Sequence, residues 1–216
     1  MVKENTRKVL NILIVALTII GTIVMFQNRA SATGLTASGF RNLKFFTVLS
    51  NELAGFTALA QLIFDIRKTK TVKPLFYLKL MSATATGITF LVVIGFLGPL
   101  YGHSNMYQGS NLYFHLLVPL LCMAEFMLYD HDGLLTFKST LTALLPPIVY
   151  GLAYIINILI NGIGVWPESN DWYGFLNWGP AVGAVIFIAV ILFTWGLSLL
   201  LSLCNRLAGK RTRPAN

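Results

Sequence analysis

VLNILIVALTIIGTIVMF, residues 9–26, decides the class of this chain: eighteen residues pass without a charge. As a helix rising 1.5 Å per residue, it spans about 27 Å, close to the thickness of a bilayer's hydrocarbon core. The run is too long for a strand and does not alternate, so a barrel is excluded. Five similar runs follow, at about 45–64, 75–100, 112–129, 141–160 and 181–203; the first three carry one charge each (Glu52, Lys79 and Glu125) and the last two none. Only 11% of the 216 residues are charged and the mean hydropathy is +0.70. Soluble domains carry about 25% charge. The expectation is an all-α integral membrane protein, one domain over 1–216, with six transmembrane helices in one bundle.

Lys and Arg counts orient the bundle. With the N-terminus inside, the inner segments hold thirteen: Lys3, Arg7, Lys8, Arg67, Lys68, Lys70, Lys73, Lys79, Lys138, Arg206, Lys210, Arg211 and Arg213. The outer segments hold three, Arg29, Arg41 and Lys44. This asymmetry predicts a multi-pass protein of the cell membrane with both termini cytoplasmic. The +8 net charge is spread over short loops and tails, without an aromatic-basic patch. It argues for anionic lipid headgroups on the cytoplasmic side as partners and against nucleic acid. Ala30-Ser31-Ala32 after the first run also reads as a leader-peptide cleavage site, although the run exceeds an ordinary leader core.

Polar residues inside the runs are the candidates for chemistry. Thr47, Ser50 and Asn51 share a helix face near the start of the second span. Asn111, His115 and Pro119 share one in the fourth, and Pro119 crowds the carbonyl of His115. Helical rise puts Thr47 and His115 at similar depth, roughly 5–10 Å below the outer interface. A neutral imidazole at hydrogen-bond range can take the proton of a Thr hydroxyl and make it a nucleophile. Tyr150, Tyr154, Asn157 and Asn161 form a polar stripe on the fifth span, after a kink marked by Pro146 and Pro147. Residues 162–177, with Trp166, Trp172 and Tyr173, read as an interfacial aromatic belt or as a lid over an outer-leaflet cavity. Each polar group has an alternative role as glue between helices.

Other chemistry is not expected. Cys122 and Cys204 lie in apolar spans, and His103 and His131 fall in loops on opposite sides, so neither a metal site nor a cofactor is expected. Asp130-His131-Asp132 reads as a solvated loop. Glu52 points off the Thr47 face, and Glu125 lies well below His115 as a group able to orient a network. With Lys79 placed near the cytoplasmic interface, no membrane-embedded ion pair is expected, and there is no internal repeat.

Phe46-Thr47 with Ser50-Asn51, His115 with Pro119, Pro147 with Tyr150 and Tyr154, and Trp172-Tyr173-Gly174-Phe175-Leu176-Asn177 occur in this order. Together they resemble the bacterial branch of the androgen-induced-gene / androgen-dependent TFPI-regulating protein family, over about residues 40–180. Leu49 departs from the bacterial pattern, which has Gln before Ser-Asn. The resemblance implies a six-span intramembrane threonine hydrolase acting on lipid esters such as fatty acid esters of hydroxy fatty acids. Thr47 would be its nucleophile and His115 its base. Ser50, Asn51, Asn111, Tyr150, Tyr154 and Asn157 are expected to bind substrate or an oxyanion. The rival expectation is a non-catalytic membrane protein that binds a lipid or small molecule, as a transporter or sensor.

Overall fold

The computed structural model describes residues 2–27, 39–69, 71–128, 135–165 and 168–210. Arg29, Ala30-Ser31-Ala32, Lys70, Tyr129, Asp130-His131-Asp132, Trp166, Pro167, Arg211 and Arg213 lie outside them, as do the side chains of Lys3 and Lys210. Among the described residues the chain is helical, without a strand. Six helices are long and apolar enough to cross a membrane. They are α1 (Val2–Gln27), α2 (Phe46–Ile66), α3 (Lys73–Tyr101), α4 (Ser110–Leu128), α5 (Phe137–Asn161) and α6 (Pro180–Lys210).

Sequence dictates which face each helix buries. In α1, Asn11, Ile14, Thr18, Gly21 and Met25 turn inward at helical spacing, while Ile12, Ile19 and Ile23 face outward. In α3, every residue from Ser82 to Thr89 is buried. That stretch, Ser-Ala-Thr-Ala-Thr-Gly-Ile-Thr, is mostly small, so neighbouring helices approach closely. The central helix α3 packs against α2, α4, α6 and the start of α5. The α5 helix opens with an α-helical turn over Phe137–Thr140, tightens to 3-10 over Leu141–Leu144 and resumes at Leu145, just before Pro146-Pro147. Prolines cannot donate to the preceding carbonyls, which accounts for the tightened turn where the sequence marks a kink.

Polar side chains join the helices pairwise. Arg7 of α1 meets Asp65 of α2 at 2.9 Å, and Thr57 of α2 meets Ser82 of α3 at 3.2 Å. Asn205 of α6 donates to the Phe126 carbonyl of α4 at 2.6 Å, and Ser198 of α6 to the Thr140 carbonyl of α5 at 3.0 Å. Without water in the hydrocarbon, such groups must find partners within the bundle.

One link corrects the reading of Lys79 and Glu125. Lys79 Nζ and Glu125 Oε1 lie 3.0 Å apart, both nearly fully buried, so an ion pair does sit inside the bundle. Asn11 completes it: its amide donates to Glu125 Oε1 at 2.9 Å, and its oxygen accepts from Lys79 Nζ. Three helices thus meet on one charge pair, each group satisfied by the other two. Losing α1 would strip Asn11 from this pair and Arg7 from Asp65.

Replacing one member leaves the other charge buried and alone, at a cost of about 3–5 kcal/mol. Lys79→Met and Glu125→Leu should each lower the melting temperature of the purified protein sharply. The double variant should recover much of the loss.

Candidate functional site

At the end of the bundle where α2 and α4 begin, the geometry starts from a proline. Pro119 has no N–H, and α4 contains a π-turn over Tyr113–Leu117 in which Val118 N–H reaches back to the Tyr113 carbonyl. In that register the acceptor that Pro119 leaves unfilled is Phe114, five residues earlier, rather than His115. Asn51 of α2 fills it, donating from Nδ2 at 2.9 Å. The same Nδ2 donates to the Thr47 carbonyl at 2.7 Å, where Ser50 Oγ also donates at 3.0 Å. Asn51 is fully buried, and its Oδ1 has no partner.

A parallel device sits at the end of α3. A π-turn over Val93–Leu97 precedes Pro99, and the carbonyl five residues before that proline, Ile94, takes His103 Nε2–H at 3.2 Å. His103 opens a short helical turn, His103–Met106, lying between Gly102 (φ +87°) and Gly109 (φ +57°). Those backbone angles favour glycine. The connector thus presents the Met106 carbonyl to α4, where His115 Nδ1–H donates to it at 2.8 Å. A carbonyl only accepts, so Nδ1 carries a proton, and in its neutral form the ring keeps a lone pair on Nε2.

The stripe on α5 is engaged by the segment after it. Tyr150 OH donates to the Lys44 carbonyl at 2.6 Å and accepts from Trp172 Nε1 at 2.9 Å. Tyr154 OH donates to Asp171, whose carboxylate also accepts from Phe175 N–H at 3.0 Å and Leu176 N–H at 2.9 Å. Asn157 Nδ2 donates to Asn170 Oδ1 at 3.2 Å, and Asn161 Nδ2 donates to Asn157 Oδ1 at 2.9 Å. The strap then reaches α2: Phe46 N–H donates to Tyr173 OH at 2.9 Å, capping a helix whose N-cap, Phe45, has no side chain to do it. Arg41 and Glu168 add an exposed ion pair at 2.9 Å. Trp178 remains exposed, as an interfacial anchor would.

Several site residues proposed from sequence therefore have their donors already committed. Both Asn51 amide hydrogens are used, as are the hydroxyls of Ser50, Tyr150 and Tyr154. Asn111 and Thr47 make no side-chain hydrogen bond among the described residues. Thr47 and His115 are not hydrogen-bonded to each other. Their helices are nonetheless joined beside them, since Asn51 is one turn from Thr47 and Phe114 immediately precedes His115. Phe45, Val48, Phe114 and Met25 of α1 pack into an apolar cluster at this junction, with Trp172 against it. Among the described residues no group of His, Cys, Asp and Glu has a metal-binding arrangement.

Three participants were not assigned a role from sequence: the Met106 carbonyl, Asp171 and His103. Asp171 had a local signal, a carboxylate followed by Gly174 and by free N–H groups four and five residues on. The Met106 carbonyl had none, because any residue supplies one.

Two groups at the membrane boundary have shifted ionisation. Burial, then the neighbouring Arg41, pulls the Lys44 amine below its usual range, against a smaller opposing effect of Glu168. Burial of the Tyr173 hydroxyl, then Tyr150 beside it, raises that phenol well above its usual 10.0. About a third of the Tyr173 side chain is exposed, but its hydroxyl is turned onto Phe46 N–H. Searched against protein families, curated proteins and solved structures, the chain matches none of them.

Because the unfolded phenol ionises near pH 10 and the folded one higher, the contribution of Tyr173 is present below about pH 10 and lost above it. Alkaline release of the strap, followed by tryptophan fluorescence, should lose that component in Tyr173→Phe. Asn51→Leu should cost about 1–3 kcal/mol through the stranded Phe114 carbonyl, read as a lower melting temperature.

Proposed function

We propose that the protein is an intramembrane hydrolase of lipid esters, with Thr47 as nucleophile and His115 as base. The observation that carries the reading is the pinned imidazole. His115 Nδ1–H is held by the Met106 carbonyl at 2.8 Å, which leaves Nε2 as a proton acceptor. That is the tautomer a general base needs, with a third group holding the ring. Among the described residues the Thr47 hydroxyl, on the neighbouring helix, has no hydrogen-bond partner.

In the reaction, Thr47 Oγ1 attacks the ester carbonyl as His115 Nε2 takes its proton. The imidazolium then gives that proton to the departing alcohol, and water, activated in the same way, releases the acid. Substrate binding must close the gap between the two groups, as catalytic hydrogen bonds often tighten only in the complex. Asn111, whose amide is uncommitted, is the side chain available to donate to the oxyanion. The Lys/Arg asymmetry supports cytoplasmic termini and a site at the outer leaflet, where an acyl chain approaches from the lipid. The sequence resemblance supports fatty acid esters of hydroxy fatty acids as substrates.

The rival reading, a lipid or small-molecule binder, transporter or sensor, draws on the buried Lys79–Glu125 pair, since embedded charges often mark a transport path. Turnover separates the two. A fluorophosphonate probe should form an adduct on Thr47, and ester turnover should vanish in Thr47→Ala. In His115→Ala it should fall by about a hundredfold or more. An unlabelled Thr47, or labelling unchanged in His115→Ala, overturns the mechanism. Ligand binding by a wild type without turnover favours the rival.

A further inference from the structure

The charges named at the site end of the bundle are not all paired with one another. Among the described residues there, Arg41 is paired with Glu168, and Asp171 is buried with its oxygens occupied by Tyr154 OH and two backbone N–H groups. Lys44 is left with neither an ion pair nor a side-chain hydrogen bond.

Its placement is ordered. Nζ lies 5.3 Å from the centroid of the Phe45 ring and 5.4 Å from that of Trp172. The Lys44 carbonyl is held by Tyr150 OH at 2.6 Å, and Tyr150 in turn accepts from Trp172 Nε1 at 2.9 Å. Backbone and aromatic frame are therefore tied into one unit. The amine is partly desolvated, and the one carboxylate felt there, Glu168, is paired with Arg41, so an anion arriving there gains more than it would in water. Thr47 follows three residues later; Phe45, Val48 and Phe114 are packed beneath the frame, and the apolar side chains left exposed close by in the chain are Leu43 and Leu49. An anion seat next to apolar surface at a membrane boundary matches the two halves of an amphiphile.

We propose that Lys44, framed by Phe45 and Trp172, is an anion seat that takes the phosphate or carboxylate of a membrane amphiphile. In the hydrolase reading, on which this last step rests, the seat selects esters that carry an anionic group and holds them beside Thr47. The seat itself is independent of turnover.

The test uses the purified full chain in discs of zwitterionic lipid, with non-hydrolysable probes, in the wild-type and Thr47→Ala backgrounds. The probes are dodecyl phosphate, dodecanoate, uncharged dodecanol, inorganic phosphate and acetate, read by melting-temperature shift and titration. Both anionic amphiphiles should bind about tenfold or more tighter than dodecanol, the gain from one charge-assisted contact. Lys44→Gln should bring them to the dodecanol affinity, and Lys44→Arg should retain most of the preference. A ligand-free melting temperature matching wild type in Lys44→Gln excludes a folding defect; were it lowered, the Lys44→Arg result decides. Equal affinity for charged and uncharged probes, or a preference that persists in Lys44→Gln, overturns the seat. Inorganic phosphate or acetate binding as tightly as its dodecyl counterpart overturns the amphiphile assignment. Failed ester turnover with the binding pattern intact would remove the hydrolase and leave the seat standing.

Discussion

Pro119 has no N–H to give, and inside a bilayer no water replaces it. This constraint organises the site end of the molecule. A free carbonyl in hydrocarbon costs several kcal/mol, and the π-turn passes that carbonyl to Phe114, where the Asn51 amide meets it at 2.9 Å. The same amide holds the Thr47 carbonyl at 2.7 Å. One side chain thus bonds α2 to α4 beside Thr47 and His115. Pro99 does the same for α3: its stranded carbonyl, Ile94, takes His103, which starts the turn that ends in the Met106 carbonyl. Both prolines feed the position of His115.

At the other half of the bundle the same physics acts on charges. Lys79, Glu125 and Asn11 are each too polar to bury alone, and together they satisfy one another. The pair is better understood as fixing the register of α1, α3 and α4 than as adding stability over an apolar packing of equal volume. It is separate in the chain from Thr47, Asn51 and His115, and none of its three members bonds to them.

The aromatic strap ties the end of α5 to the start of α2. Trp178 stays exposed as an interfacial anchor would, while Trp172 and Tyr173 fold over the start of α2. Their effect is subtractive: the tyrosine hydroxyls, which sequence offers as ligands for a substrate, are spent holding the strap. Among the described residues at this end, the Thr47 hydroxyl, His115 Nε2, the Asn111 side chain, the Lys44 amine and Asn51 Oδ1 make no hydrogen bond.

The sequence by itself determined the class, the span count and the inward faces. Those follow from runs of apolar residues and helical periodicity, which are local properties of the chain. It also marked Thr47, His115 and Asn51 as unusual, because polar groups in apolar helices are costly wherever they end up. Only the tertiary structure decided which of them are free. Which carbonyl a proline strands depends on helix register, so His115 gave way to Phe114. Whether Lys79 finds Glu125 depends on how three helices meet, and its pairing in the interior could not be read from either run alone. A hydrogen-bond donor looks the same in sequence whether spent or available, and its partner is chosen by packing between helices far apart in the chain.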